Sequence, residues 1–268
     1  MGAERVKPYS DNDPKGRQVE QMFDNIAPAY DLMNKAMTLG LHTRWRDRAL
    51  SMALSRLRAG GITTSRPDVL DVATGTGDLV FSLHRRLPAA HITGIDLSEG
   101  MLNIAERKLH HLEADEQSLL SFCKGDCLQL PFEDNSFDMV TVAYGVRNFE
   151  DLPAGYREMA RVLRPGGVLC VVELSVPTAT LTRGLYKLYT RHIIPTVGRM
   201  VSGDSRAYTY LPESIAAVPQ RGDMTRLMQE AGLTDTLWRP LTFGTVTIYI
   251  ATKPIPRPVS NNGSDPCR

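Results

Sequence analysis

The segment Asp71–Asp78, with the sequence DVATGTGD, has the residue types and spacing of a ligand-binding loop. It follows a short apolar run and opens a helical pattern. Gly75 and Gly77 therefore let the backbone approach a ligand where a helix presents free amide groups. A dinucleotide fingerprint needs a third glycine three residues after the second, but Val80 stands there, and Asp78 would repel a pyrophosphate. The loop disfavours a dinucleotide, and a plain tight turn is the structural alternative.

Acidic residues follow the next two predicted strands. Asp96 ends the strand His91–Asp96, where a carboxylate can accept hydrogen bonds from the 2′- and 3′-hydroxyls of a ribose, although it could instead cap a helix. Asp126 follows the strand Leu119–Cys123, within reach of an adenine amino group. Asp138, at the start of a later strand, fits a structural cap better. The glycine loop, Asp96 and Asp126 together indicate a nucleoside ligand without phosphates.

With these elements the chain resembles the class I S-adenosylmethionine-dependent methyltransferases, and four longer motifs narrow the resemblance. Tyr30–Trp45 (YDLMNKAMTLGLHTRW) and Arg161–Ser175 (RVLRPGGVLCVVELS) are similar to the two signatures of the demethylmenaquinone/ubiquinone-precursor C-methyltransferase family. Phe137–Phe149 (FDMVTVAYGVRNF) and Ala207–Ile215 (AYTYLPESI) resemble further elements of that family. The resemblance covers residues 17–252, which is most of the chain.

The resemblance implies S-adenosyl-L-methionine as the cofactor. Besides the glycine loop, it assigns cofactor contacts to Thr76, Asp96, Asp126, Cys127 and Ala143. Ala143 stands where the ubiquinone branch usually has Ser, so a contact there would be made through the backbone. For Cys127 a small buried packing residue is the alternative.

The implied reaction places a methyl group on a ring carbon of a polyprenylated hydroquinone. Removal of a phenolic proton pushes electron density onto that carbon, which the oxidised quinone does not permit, so strict dependence on the reduced substrate is expected. The N-terminal sequence favours conversion of demethylmenaquinol to menaquinol, the last step of menaquinone biosynthesis. The alternatives are the benzoquinol precursor of ubiquinone, an O or N acceptor, a nicotinamide oxidoreductase, and a non-catalytic cofactor-binding member of a quinone-synthesis complex.

Arg147, in the sequence YGVRN after the strand Ser136–Ala143, is the strongest candidate for activating the acceptor. Its guanidinium is a poor base, but it can stabilise a phenolate or hold a water that removes the proton. A structural ion pair is the alternative. Asn148 would assist by hydrogen bonding, and Tyr144 would form a wall of the pocket.

The N-terminal signature supplies three further candidates. Tyr30 and Asp31 are expected to contact the cofactor or the quinol, with packing as the alternative for Tyr30. His42 has the ordinary pKa of a general base, although a single histidine between helices is more often structural.

The elements that must position these residues follow from periodicity. Strands that alternate with helices predict a Rossmann-like α/β fold with a mainly parallel sheet, and the family resemblance implies seven strands. The runs Thr234–Pro240 and Thr245–Lys253 predict a C-terminal β-hairpin. Residues 17–34 and Thr43–Leu57 are predicted to be helices, with Ser98 as an N-cap for Met101–Leu112.

One methyltransferase domain is expected over residues 17–253. It comprises a helical cap at 17–60 and a helical insertion at 177–232, with flexible arms at 1–16 and 254–268. Within the insertion, residues 181–200 read as a lid helix or as a basic amphipathic helix lying on a membrane, and the two roles are compatible.

The composition limits the partners and the cellular compartment that are expected for the protein. The 268 residues carry a formal net charge of only +1, so no nucleic-acid partner is expected. The spacing of the four cysteines fits neither a metal site nor a disulfide framework, which predicts reduced cytoplasmic thiols. The sequence predicts neither a signal peptide nor a membrane-spanning segment. A polyprenylated quinol is the expected partner, and peripheral contact with the inner face of the membrane and a homodimer stay open.

Overall fold

The computed structural model describes residues 2–10, 12–60, 65–190 and 205–256. A single seven-stranded sheet runs in the order β3-β2-β1-β4-β5-β7-β6. Its strands are β1 Asp68–Val72, β2 His91–Asp96, β3 Leu120–Lys124, β4 Phe137–Ala143, β5 Leu163–Leu174, β6 Thr234–Leu241 and β7 Val246–Thr252. Strands β1 to β5 are parallel, and β7 pairs antiparallel with both β5 and β6. The predicted mainly parallel sheet with a C-terminal hairpin is confirmed.

Ten α-helices surround the sheet in the described part of the chain. They are α1 Lys15–Ile26, α2 Tyr30–Thr38, α3 Leu41–Ala59, α4 Asp78–Arg86, α5 Glu99–Leu109, α6 Ala114–Gln117, α7 Leu152–Val162, α8 Thr180–Leu188, α9 Ser205–Ala217 and α10 Gly222–Glu230. Helices α3 and α4 pack on one face of the sheet, while α7 and α10 pack on the other. Because both faces are covered, the central strands are apolar almost throughout.

Strand β5 begins five residues earlier than the predicted start at Val168. Leu163 pairs with Phe137, and after an irregularity Val168 pairs with Met139. The intervening segment contains Pro165, Gly166 and Gly167, and Gly166 adopts a φ of +82°. These residue types conceal the strand from a periodicity argument, because Gly and Pro normally interrupt one.

The N-terminal cap differs from the predicted pair of helices. The first predicted helix is split into α1, a 3₁₀ turn at Ala27–Ala29 and α2, because Pro28 lacks an amide hydrogen and disfavours a helical conformation before it. Helix α2 ends at Thr38, because Leu39 and Gly40, which follow it, both have positive φ, and α3 starts at Leu41. Ser98 caps its helix as predicted, accepting a hydrogen bond from the Met101 amide at 3.1 Å, although α5 begins at Glu99.

Helix α1 is fastened over the carboxyl edge of the sheet. The Nζ of Lys15, a residue of the predicted N-terminal arm, is buried and donates to the carbonyls of Arg147 (3.0 Å) and Phe149 (3.2 Å). Farther along α1, the carboxylate of Asp24 accepts hydrogen bonds from the Ser98 hydroxyl and the Gly100 amide. These bonds hold α1 as a roof above the ends of β2 and β4.

Some predictions concern residues outside the described ranges. Residues 191–204 of the predicted insertion and 257–268 of the predicted C-terminal tail belong to this group. Within the described ranges, none of the helices has both the length and the apolar composition needed to cross a membrane.

Candidate active site at the carboxyl edge of the sheet

Two adjoining spaces open where the parallel strands end. β1 lies between β2 and β4, so the chain reverses direction across the sheet at this point, which is where open α/β sheets bind ligands. The first space, termed the acidic cleft, is lined by residues that include Val19, Glu20, Phe23, Tyr30, Gly75, Asp96, Asp126, Cys127, Ala143, Asn148 and Glu150. The second, termed the apolar cavity, is described below.

The glycine loop after β1 forms the floor of the acidic cleft. Ala73, Gly75 and Gly77 all have positive φ, which is unusual for Ala73 because its side chain disfavours the left-handed region. Below the loop, the buried carboxylate of Asp71 accepts hydrogen bonds from the hydroxyls of Thr74 and Thr141, each at 2.7 Å. Burial raises the pKa of Asp71 to about 7, against the lowering effect of these two hydroxyls.

Asp96 meets the glycine loop at the end of β2. Its carboxylate accepts hydrogen bonds from the Gly75 amide at 2.8 Å and from the Ser98 amide at 2.9 Å, one on each oxygen. Burial raises its pKa, whereas these amides act in the opposite direction. Each oxygen keeps a lone pair, so the fixed carboxylate can still accept hydrogen bonds from two ribose hydroxyls.

The charge of the acidic cleft selects among nucleoside ligands. Its described lining contains four carboxylates, those of Glu20, Asp96, Asp126 and Glu150, and no Lys, Arg or His. Phosphate groups would meet negative charge there, whereas a cationic ligand would be favoured. Cys127 is a neutral thiol in this lining, because burial raises its pKa well above the ordinary value.

Five of the seven predicted cofactor residues line the acidic cleft: Gly75, Asp96, Asp126, Cys127 and Ala143. Thr76 and Gly77 are not among the lining residues. The Thr76 hydroxyl instead donates to the carboxylate of Asp31 at 2.6 Å. A Cβ at Gly77 would lie 2.9 Å from atoms of Phe81 and Phe122, so this glycine allows the loop to pack closely on α4 and β3.

The apolar cavity lies between the end of β4 and helices α2, α3, α8 and α9, and it encloses about 500 Å³. Its lining includes Phe23, Met33, Met37, Leu41, His42, Trp45, Tyr144, Arg147, Tyr186, Tyr189 and Tyr210. Phe23, Tyr30, Tyr144 and Asn148 line both spaces and form the junction between them. The sequence-predicted residues Tyr30, His42, Tyr144, Arg147 and Asn148 are therefore brought together, whereas Asp31 lines neither space.

Arg147 lies in the wall of the apolar cavity and also forms a buried ion pair. Its Nη1 donates to Glu173 at 2.8 Å and to the Tyr144 carbonyl, and its backbone amide donates to the other Glu173 oxygen at 3.2 Å. Its Nε is buried without a hydrogen-bond partner in the described structure. Arg147 thus lies in the cavity wall and also forms the ion pair that was its structural alternative.

Several other polar groups of the apolar cavity are held by local bonds, whereas the hydroxyls of Tyr144 and Tyr186 are buried without a hydrogen-bond partner in the described structure. His42 Nδ1 lies 2.7 Å from the Thr38 hydroxyl, and burial, aided by Arg46, lowers the pKa of His42, so the imidazole is neutral near pH 7 and can accept a proton. The Tyr210 hydroxyl donates to Asn148 at 3.1 Å. Burial raises the pKa of Tyr30, which keeps its hydroxyl protonated.

Sequence reasoning missed several lining residues. Glu20, Leu97, Leu128, Phe149 and Glu150 line the acidic cleft, and Tyr186, Tyr189 and Tyr210 line the apolar cavity. Val19 and Phe23 lie on one apolar stripe of the predicted helix over residues 17–34, but such a stripe indicates burial and does not identify the surface that is covered. The tyrosines lie in the long helical insertion and in the family motif within it. Because they are far from the glycine loop in the chain, the sequence does not indicate that they line the same site.

Comparison with known proteins agrees with this geometry. The model of the ubiE/COQ5 methyltransferase family matches residues 11–253. A demethylmenaquinone methyltransferase of Bacteroides fragilis is 42% identical over 251 residues, covering 93% of this chain and 98% of the relative. One of Deinococcus radiodurans is 41% identical over 253 residues, covering 94% and 100%. The ubiquinone/menaquinone biosynthesis C-methyltransferase UbiE of Syntrophotalea carbinolica is 39% identical over 241 residues, covering 90% and 96%.

Solved structures share the fold at lower identity. The [4+2]-cyclase SpnF has a TM-score of 0.66 at 19% identity, over 91% of this chain and 98% of its own. Phosphoethanolamine N-methyltransferase 2 of Haemonchus contortus, in complex with S-adenosyl-L-methionine, has a TM-score of 0.54 at 16% identity, over 76% of this chain and 52% of its own. At such identities the likeness concerns the fold alone, and it confirms the predicted Rossmann-like class.

Proposed function

We propose, from the premise that this chain belongs to the ubiE/COQ5 methyltransferase family, that its acceptor is a demethylmenaquinol, methylated at a ring carbon to give a menaquinol. The chain is an S-adenosylmethionine-dependent methyltransferase of quinone biosynthesis, as the motif resemblance predicted. One observation supports the acceptor most directly: an acidic cleft for a cationic nucleoside adjoins a large apolar cavity, and Tyr30 and Asn148 line both.

The residues present suit the cofactor. S-adenosylmethionine, when bound, supplies an electrophilic methyl carbon on a positively charged sulfur. Asp96 would hold the ribose hydroxyls, and Asp126 with the apolar Leu97 would hold the adenine, as their positions in the lining suggest. Glu20 is ion-paired with Lys124 at 2.7 Å, but the carboxylates of Asp96, Asp126 and Glu150 favour the positive charge and disfavour a phosphate-bearing nucleotide.

The residues of the apolar cavity supply what the acceptor needs. A quinol ring at the junction would be aligned by Tyr30 and Asn148 for in-line transfer, which removes most of the entropic cost of the reaction. Arg147 would stabilise the phenolate oxygen, because the ion pair with Glu173 fixes its guanidinium before substrate arrives. The neutral imidazole of His42, which lines the same cavity, would receive the phenolic proton, directly or through a water. Loss of the hydrogen from the methylated ring carbon would then restore the aromatic ring and return a proton to the phenolate oxygen.

A parallel assay tests this proposal. Labelled S-adenosylmethionine is offered with reduced demethylmenaquinone, with its oxidised form and with a benzoquinol precursor of ubiquinone. We expect transfer to the reduced naphthoquinol and none to the quinone. Transfer to the oxidised form at the same rate would remove the phenolate step.

The benzoquinol is the second candidate acceptor. The relative from Syntrophotalea carbinolica, at 39% identity, carries a name that joins ubiquinone and menaquinone. Faster transfer to the benzoquinol than to demethylmenaquinol would replace the preferred acceptor with this alternative.

A peripheral membrane contact is the second part of the proposal, and helix α8 supports it. Tyr186 and Tyr189 line the apolar cavity, whereas Leu181, Leu185 and Leu188 are 77%, 62% and 59% exposed. A polyprenyl chain that leaves a bilayer would enter between α8 and its neighbours, so an outward leucine stripe at that entrance suits the lipid surface.

Vesicle sedimentation tests this contact. We expect the double variant Leu181→Ser, Leu185→Ser to lose binding to vesicles of phosphatidylglycerol and phosphatidylcholine. Ile255→Ser is the matched control. Ile255 is similarly exposed, at 64%, but it follows β7 where the parallel strands begin, at the end of the sheet opposite to the candidate site. Equal binding by both variants would reject the contact. A change in the sedimentation of lipid-free protein would instead assign the stripe to a homodimer, the other open partner.

A further inference from the structure

The glycine loop is tied to the N-terminal cap by three side chains that line neither space. The hydroxyl of Thr76 donates to Asp31 Oδ1 at 2.6 Å, and Lys108 Nζ contacts Asp31 Oδ2 at 2.7 Å. The same Lys108 Nζ donates to the Thr76 carbonyl at 3.1 Å. Asp31, Thr76 and Lys108 thus close a ring of three interactions, termed the latch, that joins α2, the loop and α5.

A second set of bonds anchors the latch to the start of α4. Lys108 Nζ donates to Asp78 Oδ1 at 2.8 Å, and Arg46 of α3 donates to Asp78 Oδ2 at 3.0 Å. Burial opposes ionisation of Asp78, but Lys108 and Arg46 outweigh it and lower its pKa. Two helices of the cap, α2 and α3, are therefore joined to the loop region by charge-assisted bonds, which are the stronger class of hydrogen bond.

The latch adjoins the junction between the two spaces. Asp31 follows Tyr30 in the chain, and Thr76 follows Gly75. A Cβ built at Gly75 would lie 3.9 Å from Cε1 of Tyr30, so the tyrosine ring sits directly on the loop. Tyr30 lines both the acidic cleft and the apolar cavity. The bond between Asp31 and Thr76 is therefore one of the restraints on the helix turn that carries Tyr30.

We propose that Thr76 is a positioning residue, which acts through Asp31 and Lys108 to hold Tyr30 at the junction of the two spaces. The assignment concerns the side chain of Thr76, which is only 2% exposed and whose hydroxyl proton is already donated to Asp31. A cofactor contact at this position, as the family resemblance implies, would be made by the backbone of the glycine loop and does not need the hydroxyl.

The experiment compares Thr76→Val, which removes only the hydroxyl, with Thr76→Ser, which keeps it. Hydrogen exchange reports the amides of α2, and calorimetry reports binding of S-adenosylhomocysteine. We expect Thr76→Val to speed exchange in α2 about 3- to 10-fold, since the lost bond is charge-assisted but Asp31 is partly exposed. We expect S-adenosylhomocysteine affinity to stay within about twofold of wild type. Thr76→Ser should restore wild-type exchange.

A double-mutant cycle with Asp31→Ala tests the route of the effect. If Thr76 acts through Asp31, the double variant exchanges no faster than Asp31→Ala alone. Independent, additive effects would overturn the proposal, and so would a loss of S-adenosylhomocysteine binding in Thr76→Val with unchanged exchange in α2. Thr93→Val on β2 is the matched control, since the Thr93 hydroxyl contacts only Ser121 among the described bonds.

Steady-state kinetics with demethylmenaquinol adds a readout that rests on the proposed function. Misplacement of Tyr30 should lower kcat while the KM for S-adenosylmethionine is kept. Hydrogen exchange and S-adenosylhomocysteine binding need no acceptor, so an inactive wild-type enzyme would count against the proposed acceptor and leave the test of the latch intact.

Discussion

The acidic cleft and the apolar cavity meet at Tyr30 and Asn148, yet they are assembled in different ways. The floor and one side of the cleft come from turns directly after β1, β2 and β3, where backbone amides and carboxylates are fixed by the strands they follow. The cavity is lined by two pairs of helices, α2 with α3 and α8 with α9, and the two pairs are far apart in the chain. The floor of the cleft is thus acidic and locally encoded, whereas the cavity is aromatic and depends on tertiary packing.

This difference separates the expected consequences of substitutions. Residues of the cleft should control cofactor affinity and the stability of the glycine loop. Residues of the cavity should control acceptor turnover while cofactor affinity is retained. Four substitutions, two on each side, test this separation.

Arg147→Ala should have the largest effect. Loss of a preorganised donor to the phenolate is expected to reduce methyl transfer by about 10²–10³-fold. The change also leaves Glu173 buried without its cation, which should cost about 3–5 kcal/mol of unfolding free energy. Transfer assays and urea unfolding measure these two effects, and calorimetry with S-adenosylhomocysteine checks that cofactor affinity is retained.

The double variant Arg147→Met, Glu173→Gln separates catalysis from stability. It removes both charges, and the Gln oxygen keeps an acceptor for one of the two backbone amides, at positions 147 and 174, that bond to separate oxygens of Glu173 in the native protein. We expect unfolding free energy to recover in part while methyl transfer stays lost. Recovery of transfer would reduce Arg147 to a structural ion pair.

Asp71→Asn tests the support of the glycine loop through pH. The folded-state pKa of Asp71, about 7, lies above its ordinary value of 3.8. The protonated form is therefore favoured by folding, so the contribution to stability is complete below pH 3.8 and is lost as pH rises through about 7. Wild type should lose up to about 1.4 kcal/mol per pH unit from this group in that interval.

The measurement is urea unfolding at several pH values between about 4 and 7. Asp71→Asn should remove this part of the pH dependence, so the difference in unfolding free energy between variant and wild type should change steadily across the interval. Asp115→Asn, on the exposed surface of α6, is the control. Parallel curves for wild type and Asp71→Asn would contradict the effect of burial.

Asp96→Ala should weaken the cofactor without disturbing the cavity. The substitution removes the carboxylate, and with it two hydrogen bonds to the ribose hydroxyls and the bonds to the Gly75 and Ser98 amides. A hydrogen bond to a charged group contributes about 1.5–3 kcal/mol, so loss of both bonds to the ribose should raise the Kd of S-adenosylhomocysteine about 100-fold or more. At saturating cofactor the KM of the acceptor should be unchanged. A changed acceptor KM would show that the two spaces are not separable.

The extent to which the sequence predicts the site follows from the same contrast. Asp96, Asp126 and Gly75 each end or follow a strand, so the alternation of strands and helices is enough to place them together at one edge of the sheet. Tyr186 and Tyr210 carry no such signal, because their place depends on how the helical insertion folds back over β4. Thr76 is the instructive case: the loop motif identifies its position, but only packing of α2 reveals Asp31 as its partner.

Tyr210→Phe should have the smallest effect and tests the fine positioning of Asn148. The hydroxyl of Tyr210 donates to Asn148 Oδ1 at 3.1 Å, and both residues line the apolar cavity. Loss of one neutral hydrogen bond, worth about 0.5–1.5 kcal/mol, should lower kcat about 3- to 10-fold because Asn148 is less firmly oriented at the junction. Cofactor affinity should not change, since Tyr210 lies outside the acidic cleft. Tyr156→Phe, whose hydroxyl contacts the Met224 sulfur in the core, is the matched control and should leave kcat at the wild-type value. An equal decrease in both variants would trace the effect to general loss of packing and remove Tyr210 from the positioning of Asn148.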